Sequence, residues 1–289
     1  LADAMRKHPK VFTELYVNMV AAGEAGGILD VILMRLATFL EKNDALVRKI
    51  KGAMTYPAVM LFVVIMATTI LLWKVVPVFA TIFTASGLEL PGPTRVVLAI
   101  SEFLQSYIFF MVLGIVGLVF AIRRYYKTDN GQLVIDRMLL HMPVLGNMLR
   151  KSAVSRFTRT LGTLISSGVS ILEGLQITAR TSGNRVIHDA VMQSRASIAG
   201  GATISEPLKA SGVFPPMVVQ MINVGEQTGG LDDMLSKIAD FYDDEVDAAV
   251  TALTSILEPI MIVVMGVVIG GMVIAMYLPM FDMIQAAQG

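Results

Sequence analysis

The sequence predicts an all-α protein: two repeated cytoplasmic helical-bundle domains, the first truncated on its N-terminal side, and three transmembrane helices. Three observations predict this. Uncharged apolar stretches of bilayer length occur three times, the chain aligns with itself at an offset of 202 residues, and the segments between the apolar stretches show helical periodicity without strand-like alternation. Composition agrees. Of 289 residues, 55% are hydrophobic and only 16% charged, with a mean hydropathy of +0.68, whereas a soluble domain carries about a quarter charged residues. The 23 Lys and Arg cancel the 23 Asp and Glu, so no basic field exists to hold a nucleic acid. With no cysteine, disulfides, thiolate metal sites and a cysteine nucleophile are excluded.

In chain order, residues 1–56 form the partial first cytoplasmic domain. Residues 57–80 form the first membrane helix; Ala58–Trp73 is uncharged, and apolar residues resume after Lys74. Lys74 beside Trp73 reads as a pair at the membrane interface, with the lysine reaching towards water. Residues 81–102 form the outer, periplasmic loop. The second span, 103–122, is uncharged after Phe103 and is followed by a connector at 123–151. The second cytoplasmic domain occupies 152–258, the third span 259–281, and a short periplasmic tail 282–289. Orientation follows from the flanks. Arg48, Lys49 and Lys51 precede the first span and Arg123, Arg124 and Lys127 follow the second, while the loop between them holds only Arg95 as a basic residue. Three spans then place the tail outside.

The offset of 202 aligns Phe12 with Phe214, Val17 with Val219, Gly23-Glu24 with Gly225-Glu226, Gly27 with Gly229, and Leu29-Asp30 with Leu231-Asp232. It also aligns Pro57 with Pro259 and Pro77 with Pro279. Matching hydrophobic residues could arise by chance, but matching punctuation of Gly, Glu, Asp and Pro in one register does not. Each unit is a helical domain followed by an outward-going span, so the second span is needed to return the chain to the cytoplasm. Counting back 202 positions from Phe157 falls at position −45, ahead of Leu1, so the first domain is expected to lack its opening helices. In the complete copy, Ser166-Ser167-Gly168, Thr181 to Asn184, Gly200-Gly201, Ser211-Gly212 and the Gly225 to Gly230 turn divide about six helices, the last a long amphipathic one.

Catalytic chemistry finds little support. His8, His141 and His188 are isolated, and Gly225-Glu226-Gln227-Thr228-Gly229-Gly230 lacks the Lys-Ser/Thr ending of a phosphate loop, so no cofactor is expected and no energy source is visible. The acidic run Asp240, Asp243, Asp244, Glu245 and Asp247 offers hard oxygen ligands, and Asp243, Asp244 and Asp247 are the candidates for a cation. One helix spreads them round its circumference, which favours a solvated face or a docking surface. The aligned first-copy stretch, with Lys42, Arg48 and Lys49, is more basic, so the copies meet different partners or each other across a dimer. Gly225, Glu226, Gly229, Asp232, Asp233, Asp240, Asp243 and Asp244 are therefore the candidate docking residues. Gly266 and Gly270 form a small-xxx-small pattern suited to close helix packing in lipid.

These features together resemble the type II secretion F family, the inner-membrane platform proteins of type II secretion and type IV pili. The residues that carry the resemblance are the Arg156 to Val169 opening of the complete domain, the two Gly-Glu turns, the Leu90-Pro91-Gly92-Pro93-Thr94 loop and Leu257-Glu258-Pro259. The ending Tyr277-Leu278-Pro279-Met280-Phe281 is more similar to the pilus branch. The resemblance implies a non-catalytic homodimer in the bacterial inner membrane. Its implied partners are cytoplasmic hexameric ATPases, pilin or pseudopilin subunits and inner-membrane alignment proteins. Two other classes fit less well. A small transporter would require ionisable residues at mid-membrane and more spans, and a tethered receptor would require an outer domain larger than a loop of about 22 residues.

Overall fold

The computed structural model describes residues 1–85, 91–143 and 145–288, so part of the outer loop and Gly289 lie outside the described residues. The described residues contain helices and no strand, and the chain divides into two compact units. The first comprises Leu1–Lys51 with Tyr126–Thr251; the second comprises residues 52–125 and those from 252 on.

In the first unit the repeat is visible as geometry. From the first copy come α1 (Ala2–Arg6), α2 (Glu14–Gly26) and the start of α3 (Leu29–Ile70). In the second unit, α3 is continued by a π-helical turn at Leu71–Val75 and by α4 (Val76–Ala85), and α5 covers Gly92–Tyr126. Back in the first unit come α6 (Asp129–His141), α7 (Leu145–Ser166), α8 (Ile171–Thr181), α9 (Arg185–Ala199), α10 (Ser205–Ala210), α11 (Pro216–Thr228) and the start of α12 (Leu231–Met265). A π turn at Gly266–Gly270 and α13 (Gly271–Gln288) complete the chain. Helices α2 and α11 share both ends at the 202-residue offset, and α3 and α12 share their first residue. Local chemistry sets these limits. Thr13 caps α2, Ser170 caps α8 and Asn184 caps α9, each side chain accepting from a backbone N–H of the first turn, and Pro216 opens α11 where its missing N–H costs nothing.

Two cores fill this unit. Phe157, Leu161, Leu175, Val191, Ile222 and Leu235 belong to the one inside the second copy. The other joins Val17, Met19, Val20 and Ile32 of the first copy to Leu164, Val169 and Ile177 of the second.

Three expectations shift. The connector 123–151 contains α6, because Thr128 caps a helix whose first turn is Asp129-Asn130-Gly131, a sequence that reads as a turn. Asp136 ties α6 to α9 by accepting from the Arg185 N–H at 2.6 Å. The second span belongs to a helix that starts at Gly92 instead of Phe103, with Pro93 in its first turn. The expected turn from Gly225 to Gly230 is restricted to its end, since Gly225 lies inside α11.

The second unit explains why α5 starts early. The π turn makes the Val76 N–H donate to the Leu71 carbonyl, five residues back. In that register the Leu72 carbonyl would need the N–H of Pro77, which has none. Ser101 on α5 donates its hydroxyl to that carbonyl. Pro279 likewise leaves the Ala275 carbonyl without its partner four residues on, and Thr94 donates to it at 2.5 Å. Both hydroxyls are buried, seven residues apart on one face of α5, beside a cluster of Leu72, Val76 and Met272. Replacing Thr94 with Val and Ser101 with Ala is expected to cost about 1 kcal/mol each, because each change leaves a backbone carbonyl beside a buried side chain without its donor. Resistance of the purified membrane protein to steric trapping or denaturing detergent measures this; no change for the double variant would refute it.

Candidate functional site: the seam between the two repeats

The sequence-predicted residues fall into three groups. Gly225, Glu226 and Gly229 serve the fold of each repeat. A Cβ on Gly225 would lie 2.9 Å from the Leu231 Cα, and one on Gly23 would lie 2.9 Å from Ile32 and 3.2 Å from the Leu29 Cα. Glycine is therefore what lets α11 cross α12, and α2 cross α3, at short range. Glu226 accepts from the backbone N–H of Ile204 at 2.9 Å and of Ser205 at 3.4 Å, placing a carboxylate at the start of α10. In the first copy, Glu24 accepts from the N–H of Ala2 at 3.1 Å, at the position aligned with Ile204. Gly27 and Gly229 close α2 and α11 at φ of 65° and 78°. The shared signature is thus a repeated helix-crossing device.

The acidic residues form the second group, and most of them are engaged within the chain. Lys42 of α3 pairs with Asp240 of α12 at 2.9 Å, and Lys49 pairs with Asp247. Arg159 of α7 reaches Asp240 at 2.8 Å and Asp243 at 2.5 Å, and Ser155 donates to Asp243 as well. Lys151 meets Glu245 at 2.5 Å. The basic stretch of the first copy therefore faces the acidic stretch of the second. Burial pushes the Asp240 carboxyl upward, but hydrogen bonds from Arg159 and Lys42 outweigh it and hold the group below the ordinary carboxylate range. Exposed pairs of this kind contribute little singly. Arg159 differs because its side chain is only 12% exposed and serves two carboxylates. Beside it lies a cleft of about 390 Å³ lined by Arg35, Lys42, Arg159, Asp232, Asp233 and Ser236. Arg35 donates to the Ser166 carbonyl in this cleft, and elsewhere on the seam Glu14 of α2 pairs with Arg180 of α8 at 2.5 Å. Asp233 and Asp244 stay exposed, and among the described residues no three His, Asp or Glu converge as a metal-ligand set.

The third group is Gly266 and Gly270. They bracket the π turn, and a Cβ on either would meet nothing within 4 Å. Within the chain their small-residue face is open. Lys74 stands 4.9 Å from the Trp73 ring, a cation over an aromatic face.

Reading the acidic run alone missed Arg159, Arg180, Thr94 and Ser101. Arg156 and Arg159, three apart in the stretch Ser152–Ser166 that is otherwise apolar or carries only small hydroxyl residues, were the available signal for the first, since a buried-side cation requires an acid.

The family model described as Type II secretion system (T2SS), protein F matches two segments, 1–77 and 157–279, whose ends fall on the aligned prolines. The chain belongs to the type II secretion system F family. Among its relatives, a type IV pilus assembly protein PilC of Myxococcus xanthus is 53% identical over 99% of this chain and 69% of its own length. The PilC of Thermus thermophilus is 48% identical over 98% of this chain and 70% of its own. A type II secretion system protein F of Vibrio cholerae is 33% identical over 86% and 62% respectively. As an F-family protein the chain is a multi-pass protein of the bacterial inner membrane. Among the described residues, three helical stretches are long and apolar enough to cross a bilayer: Leu29–Thr81, Gly92–Tyr126 and Leu231–Phe281.

Proposed function

We propose that this F-family chain is the non-catalytic platform of a type IV pilus machine. It couples a cytoplasmic hexameric ATPase to the insertion or removal of pilin subunits at the base of the fibre. The single observation that carries the pilus branch is identity: three pilus assembly relatives stand at 53, 48 and 40% over nearly the whole chain, against 33 to 35% for the secretion F proteins. In this reading the unit built from both repeats is cytoplasmic, as the basic flanks require, and the segment between the first two spans is periplasmic. Motion is imposed on it from outside, since the seam is an ion-pair network without a nucleotide cradle. Asp233 and Asp244, exposed on α12, are the members of the acidic set open to an ATPase or an alignment protein.

Deleting the gene tests this. Surface pili are expected to disappear while the ATPases and pilins persist on immunoblots, and plasmid-borne expression restores the fibres. Loss of secreted substrates with intact pili would move the chain to the secretion branch. Loss of solute uptake with both intact would refute the platform reading.

A further inference from the structure

Helix α6 is held against the second repeat by one face only. Gly131, Asp136 and Leu140 are buried, and Asp136 accepts from the Tyr126 hydroxyl at 3.0 Å as well as from the Arg185 N–H of α9. A Cβ on Gly146 would overlap the Leu140 carbonyl, so α7 starts in direct contact with the end of α6. These contacts turn the opposite face outward. Val134, Arg137, Met138 and His141, spaced as i, i+3, i+4 and i+7, make up that face, and all four are exposed, Val134 at 51% and Met138 at 70%. Leu139 and Met142, at the end of the helix, are exposed too. Four large apolar side chains within nine residues are thus uncovered, whereas among the described residues of 145–251 only Met217, Val224 and Phe241 are, and they lie far apart in sequence. The free charges near this face have one sign. Lys127 and Arg137 are exposed, and neither has an acid partner among the described residues. The acids of α6 are engaged elsewhere: Asp129 pairs with Arg185 at 3.2 Å, and Asp136 makes the buried contacts above.

Position along the chain names the occupant. Asp129 follows Ile122, the cytoplasmic end of the second span, by seven residues, four of them within α5. Helical and extended rises let these reach at most about 16 Å, so α6 starts at or just beneath the headgroup layer. We propose that α6 lies on the inner leaflet of the membrane. Val134 and Met138 dip into the boundary between headgroups and acyl chains, and Lys127 and Arg137 meet the phosphates of anionic lipids. The cytoplasmic leaflet attracts basic residues placed beside a span, and an amphipathic helix with a cationic rim buries its apolar side there. The long stems of Lys127 and Arg137 can lie in the apolar boundary while their charges stay at the phosphates. Through the tie from Asp136 to α9, the same contact keeps the second repeat close to the bilayer. This inference rests on the inner-membrane placement of the family and not on the pilus reading.

The chain has no cysteine, so single cysteines can report position in the whole protein reconstituted in lipid nanodiscs. In discs containing phosphatidylglycerol, a bimane on Met138→Cys is expected to be quenched by lipids carrying a nitroxide near the headgroup. The quenching is expected to be at least threefold stronger than for a bimane on Lys209→Cys, an exposed position of α10. Replacing phosphatidylglycerol with phosphatidylcholine is expected to remove most of that excess, and Lys127→Glu with Arg137→Glu to do the same in the anionic discs. Both residues are exposed, so the helical melting curve of the double variant is expected to match that of wild type. Equal quenching at positions 138 and 209, or quenching at 138 that ignores lipid charge or the two charge reversals, would overturn the proposal. So would a photo-crosslinker at position 138 that couples in cells to protein and never to lipid.

Discussion

Gly225→Val is expected to unfold the second repeat more readily than any other single change to the shared signature, lowering stability by about 3 kcal/mol. The obstacle is backbone. A Cβ there would stand 2.9 Å from the Leu231 Cα and 3.1 Å from the Met234 side chain, so α11 and α12 must separate, and the core that contains Ile222 and Leu235 separates with them. Gly23→Val acts on the first repeat by the same contact, although there the nearest atom belongs to the Ile32 side chain, and its effect is smaller. Gly266→Ala is the control. Its Cβ meets nothing within 4 Å, and its effect on the monomer's thermal transition is expected to lie within about 0.5 kcal/mol. Circular-dichroism melts of the detergent-solubilised proteins decide the matter, and equal midpoints for Gly225→Val and Gly266→Ala would refute the crossing argument.

Arg159→Ala is expected to cost about 2–3 kcal/mol and to loosen α7 from α12 within the second repeat. Removing a mostly buried guanidinium leaves Asp240 and Asp243 facing each other without their shared cation. Lys42 still reaches Asp240, but from a half-exposed position, and compensates weakly. The pH dependence has a definite sign. Asp240 is held below its unfolded value, so the stability it confers is fully present above that value, near pH 4. It is lost as pH falls through the folded value. Wild type is therefore expected to lose part of its stability in acid below about pH 4, and the Arg159→Ala protein to show a shallower acid dependence. Limited proteolysis within the second repeat across pH 3–7 measures both; parallel profiles for the two proteins would exclude Arg159 as the clamp between α7 and α12.

Much of this architecture was legible in the sequence because its signals are local or periodic. The 202-residue register placed α2 on α11 and the start of α3 on the start of α12, and uncharged runs placed three membrane helices. What remained hidden is relational. Arg159 lies 81 and 84 residues from the carboxylates it serves, and no spacing rule links them. Thr94 and Ser101 look like loop and helix-start residues until Pro77 and Pro279 are seen to leave carbonyls for them. Helix α6 was hidden by Asp129-Asn130-Gly131, whose turn-like residues occupy a capped first turn. The acidic run reads as a solvated face or a docking surface; that Asp240 and Asp247 meet lysines of the other copy in the same chain emerges only from the fold.

The charge pattern along the seam has a consequence for how the two halves can vary. Position 42 is Lys in the first repeat, and its aligned position 244 is Asp; Asp240 aligns with Thr38. The residues of this pair have therefore diverged from their counterparts in the other half. By sharing one polypeptide, the repeats have taken opposite signs and become a tethered heterodimer of fixed one-to-one stoichiometry. Neither half can then be exchanged for its counterpart, and a chimera between relatives retains its fit only where Lys42 and Lys49 travel with Asp240 and Asp247 as one linked set.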